Sequence, residues 1–373
     1  MNTYGITIVT TGEERKKFID FLYSHYEGDE HFIPPLRMDQ KKLINTKKNP
    51  YFENAEMALF IAECNGEIAG RISAVVDHRY NNEHGTKTGH FGFFECIDDQ
   101  QAADLLFRVA LDWLRDKGMK DVLGPASPGM MDMIGFLVEG FDKDPYIMMP
   151  YSKPYYEKLV LNAGFEPSMD LLAFLVEEKD VDMDRVNRAT DIVYKRNPSL
   201  KIRPVNLKKI DEEIEIVRYI YNLAWKDNWG FIPLTKKELK GLAAEFKLIL
   251  DTDFAHVAEM DGKPVAFSIA LLDYNQLFKT MNGKLFPFGF LKILFQKKKI
   301  KQIRTMLMGV LPEYRGRGID ALLHQKSIQN GPARDIRTSE ISWILGNNKD
   351  MIRVAERIGG KKDKVYRMFS KSL

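Results

Sequence analysis

The chain has 373 residues, 45% hydrophobic and 29% charged, which fits a globular protein with room for two cores and excludes a disordered or fibrous chain. Its formal net charge of +3 is too small to single out nucleic acid as a partner. Cys64 and Cys96 lie inside apolar runs without disulfide or metal spacing, no stretch reaches the ~20 apolar residues of a membrane span, and MNTYGITIVTTGEERKK has no signal-peptide core, so the expected setting is the cytoplasm, with no metal.

In chain order, the first strong signal is a hairpin. Ala58–Asp77 (ALFIAECNGEIAGRISAVVD) reads as strand, Asn65-Gly66 turn, strand. Gly89–Ile97 gives a third strand that runs into Asp98-Asp99 and the helix Ala102–Lys117, with the aspartates placed to cap it. Pro154–Phe165 predicts a helix closed by Gly164, and Leu171–Val176 a strand. Glu177–Arg203 is a charged junction, helical over Met183–Lys195 and stopped by Asn197-Pro198.

A second hairpin, Phe254–Asp273 (FAHVAEMDGKPVAFSIALLD), echoes the first. Setting Ala58 on Phe254 brings Ala62 onto Ala258, Glu63 onto Glu259, Gly66 onto Gly262, Ala74 onto Ala270 and Asp77 onto Asp273. Phe32-Ile33-Pro34 upstream is matched by Phe231-Ile232-Pro233, and Arg304–Val310 downstream is again a strand leading to a helix. The ends also correspond: Asp350–Gly360 is a helix closed by glycine and Lys364–Ser370 a strand. The order predicts two copies of one α/β unit with mixed central sheets, over 1–180 and 204–373, with a linker at 181–203.

The two copies differ at one decisive place. After the strand ending at Met308-Gly309-Val310, Pro312-Glu313 make a turn, Arg315-Gly316-Arg317-Gly318 follows, and Ile319–Gln325 starts a helix. Two glycines let backbone N–H groups converge on one anion, the helix adds the positive end of its dipole, and two arginines add full charge. The spacing is neither the P-loop pattern nor GxGxxG. At the matching place in the first copy stand Asp98-Asp99, whose charge would repel a phosphate by roughly 1–4 kcal/mol each. Only the second copy is expected to hold a pyrophosphate.

Arg315–Asp320 resembles the Arg/Gln-x-x-Gly-x-Gly/Ala loop of the GNAT acyl-CoA N-acyltransferases, with Asp320 departing from the usual Gly or Ala. Several other stretches resemble a bacterial tandem-GNAT family related to ceramide synthase: Asn49–Phe52, Gly92–Glu95, Gly124-Pro125, Glu139–Phe141, Met149–Tyr151, Asn282–Pro287, Ser342–Leu345 and Tyr366-Arg367. The resemblance implies two tandem GNAT-like domains, acetyl-CoA or a longer acyl-CoA as donor, and transfer of the acyl group to an amine, small or lipid-like. A donor held on Met308, Gly309, Val310 and Arg315, Gly316, Arg317, Gly318, Ile319 follows from it. Two other readings are a CoA-binding protein without turnover and a Fem-type peptidyl transferase, though the latter expects a basic helical arm and the junction is of mixed charge.

Amine attack on a thioester needs a polarised carbonyl, a deprotonated amine and a proton for the leaving thiolate. Counting from Asn348, the tyrosine that serves many GNATs as the acid is replaced by Ala355. Tyr366 is a substitute, or a core aromatic; His324 is a candidate base, or a helix histidine without a role; Asn347 or Asn348 could hold substrate, or shape a turn. Glu95 and Glu259 read as capped or paired carboxylates, and neither cysteine has a sequence partner that would make it a nucleophile. Lys284–Lys301 (KLFPFGFLKILFQKKKIK) is too short to span a bilayer. It reads either as an interfacial segment, apolar face in lipid and lysines at anionic headgroups, or as a lid.

Overall fold

The computed structural model describes residues 2–246, 249–285 and 289–373. The chain begins with β1 (Tyr4–Ile8), α1 (Gly12–His25), α2 (Arg37–Leu43), β2 (Ala55–Cys64), β3 (Glu67–Asp77), α3 (His78–His84), β4 (Thr88–Cys96) and α4 (Gln100–Asp116). Four short strands follow, β5 (Asp121–Gly124), β6 (Ala126–Ser127), β7 (Met133–Ile134) and β8 (Phe136–Glu139), then α5 (Tyr156–Asn162) and β9 (Glu166–Glu177). After α6 (Met183–Arg196) the order repeats: β10 (Lys201–Pro204), α7 (Ile210–Ala224), α8 (Lys236–Phe246), β11 (Leu250–Met260) and β12 (Lys263–Leu272). The chain continues through α9 (Asn275–Phe278), α10 (Gly289–Gln296), β13 (Gln302–Val310), α11 (Ile319–Asn330), β14 (Thr338–Leu345), α12 (Lys349–Arg357) and β15 (Lys361–Ser372).

The chain forms two compact units, Met1–Leu171 with Phe278–Phe290 and Lys364–Leu373, and Leu172–Leu277 with Leu291–Asp363. In the first, β1 to β4 pair antiparallel in sequence, β4 and β5 run parallel, and β15 closes the sheet antiparallel to β5, with Phe369 opposite Gly124. The hairpin turns on Asn65 (φ 53°) and Gly66 (φ 84°), as the Asn-Gly pair requires. The core packs Phe91, Phe94, Phe107, Phe136, Tyr156 and Phe369 together.

In the second unit, β10 to β13 pair antiparallel and β13 and β14 run parallel. The strand Leu172–Glu177 of β9 brings Phe174 and Val176 against Ile341, Ile344, Ala355 and Ile358. These boundaries differ from the sequence halves. The strand at Leu171–Val176, assigned to the first half, serves the second unit from Leu172 onward, and the strand at Lys364–Ser370 serves the first. Alternating apolar residues mark a strand, but the pattern is blind to which sheet edge the strand will pair with. The 181–203 junction is also no bare linker, since α6 packs on α11 and β10 is an edge strand of the second sheet.

Candidate active site

The second unit builds an open cleft between two parallel strands. β13 and β14 are paired from Gln302↔Thr338 to Thr305↔Ile341, and beyond that register β13 keeps only its β12 partners. Pairing with β12 slips between Ile269 and Ala270, leaving Met306 as a bulge at the point where the strands part. Past the bulge, the indole N–H of Trp225 donates to the Met308 oxygen at 2.9 Å, so that oxygen faces away from β12. In an antiparallel pair, N–H and C=O of one residue face the same side, which turns the Met308 amide into the cleft as well.

The loop above the cleft follows from its residues. Pro312–Tyr314 form a tight helical turn, Gly316 (φ 73°) and Gly318 (φ 80°) take left-handed backbone, and Gly318 opens α11 without a side-chain cap. The first hydrogen bond into α11 is Leu322 N–H to the Gly318 oxygen. Among the described residues, the amides from Gly316 to Ala321 therefore carry no hydrogen bond, which suits an anion. Ile319, Leu322 and Leu323 fix the helix on Ala258, Val265 and Ala266. Asp320 lies one turn before His324 on the same helix face and exerts its charge there.

The arginines are placed differently from a simple anion clamp. Arg315 Nη2 donates to the Ala224 oxygen at the end of α7, and the Arg317 guanidinium lies 5.0 Å over the Tyr314 ring. Each guanidinium keeps further N–H donors for a ligand.

The first unit closes the equivalent cleft with its own chain. β4 and β5 pair only from Thr88↔Asp121 to His90↔Leu123. β4 then bends at Phe93 (φ 46°), whose N–H donates to Ser127 Oγ at 2.8 Å. A Cβ on Gly92 would stand 1.8 Å from the Ala126 oxygen, so β6 fills the space. Below it, Asp99 Oδ1 accepts from the amides of Gln101 and Ala102 and caps α4, as the sequence indicated.

The other candidates separate. Tyr366 belongs to the first unit, opposite Leu137 on β8, and is wholly buried. His324 is buried under α11 rather than on its surface, and burial pushes its pKa down to about 4. Asn347 is exposed in the turn after β14, while Asn348 caps α12 by accepting from the Met351 amide at 3.1 Å. Ala355 is core. Glu259 and Glu213 share Arg203, at 2.7 and 2.6 Å. Glu95 accepts from Tyr156 at 2.6 Å and Tyr26 at 2.8 Å, and burial raises its pKa despite Arg71 at 3.8 Å. Burial also raises the Cys96 thiol, which keeps it protonated and unreactive. Sequence reading missed Trp225 and β6; only the apolar pair Leu223-Ala224 before Trp225 and the small pair Ala126-Ser127 hinted at them.

Over 98% of its length the chain is 33% identical to bacterial ceramide synthase of Caulobacter vibrioides, covering 96% of that protein. This chain belongs to the bacterial ceramide synthase family of tandem GNAT proteins. Protein YghO of Escherichia coli is 35% identical over 96% of the chain and 93% of its own length. The fold matches a tandem GNAT protein from the clavulanic acid biosynthesis pathway with a TM-score of 0.55 and 12% identity, covering 99% of this chain and 98% of that one. No protein-family model matches the sequence. Like its family, the protein is an N-acyltransferase, moving an acyl group to an amine.

Proposed function

We propose that the protein transfers an acyl group from acyl-CoA to a long-chain, lipid-like amine, with the donor on the second unit. The observation that carries the reading is the run of unpartnered amides from Gly316 to Ala321 at the mouth of the β13–β14 cleft. Met308, Gly309, Val310 and the Arg315–Ile319 loop are the donor-binding residues in this reading, with Arg315 and Arg317 supplying charge from their remaining N–H groups. The CoA diphosphate fits there: the amides are oriented, and the glycines leave no Cβ in the way at Gly316.

The Met308 amide, or that of Val310 on the same edge, would polarise the thioester carbonyl. The neutral amine nitrogen attacks the carbonyl carbon, the C–N bond forms, the nitrogen gives up one N–H proton to solvent, and the C–S bond breaks with its electrons leaving on sulfur. The thiolate takes a proton from solvent or a side chain other than position 355, where an alanine stands. The lipid-like acceptor is supported by the similarity to the Caulobacter ceramide synthase.

The segment Lys284–Lys301 is consistent with work at a membrane surface. Phe286–Phe288 lie outside the described residues, but α10 exposes Leu294 at 58% and Phe295 at 78%, next to Lys297–Lys299. No helix of the described residues is long and apolar enough to cross a membrane.

The test pairs binding with turnover. CoA binding by calorimetry and free-thiol release with acyl-CoA and a panel of short and long amines should both be positive. Release with long-chain amines and none with short ones supports the lipid acceptor. Tight CoA binding with no thiol release from any pair would reduce the protein to a CoA-binding module. Unchanged CoA binding in the double variant Arg315→Glu, Arg317→Glu would place the donor elsewhere.

A further inference from the structure

Among the described residues, the first unit's sheet ends on β1, which pairs with β2 and with no other strand. The phase of that pairing decides which groups the open edge offers. The register runs from Tyr4↔Cys64 to Ile8↔Phe60, and one step beyond each end a hydrogen bond marks its phase. Asn65 N–H donates to the Thr3 oxygen at 2.8 Å, and Val9 N–H to the Leu59 oxygen at 2.9 Å. Bonded and non-bonded pairs alternate in an antiparallel ladder, so Gly5 and Thr7 turn their N–H and C=O toward β2. Tyr4, Ile6 and Ile8 turn theirs outward, where none has a hydrogen-bond partner among the described residues.

The same three residues share one face of the sheet. Tyr4 and Ile6 pack partly on the core beneath α4, while Ile8 is 58% exposed. The Tyr4 ring is held in place, its hydroxyl donating to Asp99 at 2.6 Å. Tyr4–Ile8 contains no charged residue and no proline, the usual guards of a sheet edge. The outer strand of the second unit has both, since β10 carries Lys201, Arg203 and Pro204. The helices leave the β1 edge accessible: α4 packs mainly on β2 and β3, and α1 on β3 and β4.

A strand laid along this edge must offer outward groups at every second residue, and β1 itself does so. With two copies antiparallel about a two-fold axis at Ile6, Ile6 faces Ile6, Tyr4 faces Ile8 and Ile8 faces Tyr4. All three become hydrogen-bonded pairs, each exchanging two backbone bonds. The exposed Ile8 gains the Tyr4 ring of the other copy, an aromatic and β-branched pair of the kind that stabilises sheets. Within the paired strands no like charges meet across the axis.

We propose that the first unit pairs with a second copy of this chain through β1, the two strands antiparallel about Ile6. A pair of five-residue strands is too small to supply the ~1,200 Å² of a lasting interface, so the dimer is reversible and its population follows concentration. It does not rest on the donor site, and a chain that failed to bind CoA would still pair.

Sedimentation velocity of the full chain, from about 2 μM to about 200 μM, should show a monomer–dimer equilibrium. Ile8→Pro removes an outward N–H that β2 does not use, and proline is tolerated at a sheet edge. It should weaken the dimer about tenfold or more, with thermal melting verifying the fold. Cross-linking reads the position separately and stands even where Ile8→Pro disturbs folding. In a Cys64→Ser background, which removes the half-buried thiol on β2, Ile6→Cys sets two Cα atoms about 5.5 Å apart. That separation suits a disulfide, so mild oxidation should give a covalent dimer. Thr3→Cys would stand about 20 Å from its counterpart and should stay monomeric. Monomer alone over the whole concentration range overturns the proposal. So does a dimer that folded Ile8→Pro leaves unchanged, or one that cross-links no better through position 6 than through position 3, because the contact then lies elsewhere.

Discussion

Trp225 and Met308 are joined by a single hydrogen bond, the indole N–H donating to the main-chain oxygen across 2.9 Å. That bond fixes the end of α7 against the strand edge on which the thioester is proposed to lie. Trp225→Phe should reduce stability by about 1 kcal/mol and leave the Met308 oxygen to water. CoA binding should weaken several-fold in the same variant, by calorimetry. Unchanged affinity would mean that the cleft edge holds its shape without the indole.

The two loop glycines should respond unequally. Gly316→Ala meets open space and loses only backbone comfort at φ 73°, about 1 kcal/mol. Gly318→Ala adds a Cβ 2.7 Å from Val193 Cγ2 of α6, so it should cost more and shift α6. Urea unfolding gives the order, and equal losses would contradict the packing of α6 on α11.

His324 makes a pH prediction. Its pKa falls from 6.5 to about 4 because burial disfavours the charged ring, with Asp320 opposing. The unfolded chain therefore binds the proton more readily. Stability is whole above pH 6.5 and is lost as pH falls toward 4, by roughly 2 kcal/mol at pH 5 for this residue. His324→Leu should shrink the loss between pH 8 and pH 5 by about that amount. Parallel urea-midpoint curves for variant and wild type would refute it.

On α10, Leu294→Glu with Phe295→Glu should abolish sedimentation with vesicles rich in anionic lipid while leaving the melting temperature within a degree or two, since both side chains are exposed. Loss of binding at high salt would identify Lys298 and Lys299, which make no ion pair among the described residues, as the electrostatic part. Binding by the variant equal to wild type would favour the lid.

Local features were readable because their causes are local. Asn65-Gly66 and Asp261-Gly262 specify hairpins, Asp99 specifies a cap, and Gly316 and Gly318 specify a turned backbone. What stayed hidden depends on residues far apart in sequence. Nothing in Ala126-Ser127 says that it will settle against Gly92, and nothing in Tyr366 says that its strand pairs with β5 and β8. Arg315 was legible as a cation, but its use in holding the Ala224 carbonyl depends on where α7 ends.

The destination of β15 has a consequence for biosynthesis. The first unit is translated almost whole before the second begins, yet β5 lacks its β15 partner until Lys364–Leu373 has left the ribosome. Until then β5 presents bare N–H and C=O groups, the kind of edge that recruits stray strands. Cotranslational folding thus cannot finish domain by domain. A nascent chain stalled near Gly360 should be far more sensitive to protease in its first 171 residues than the released protein.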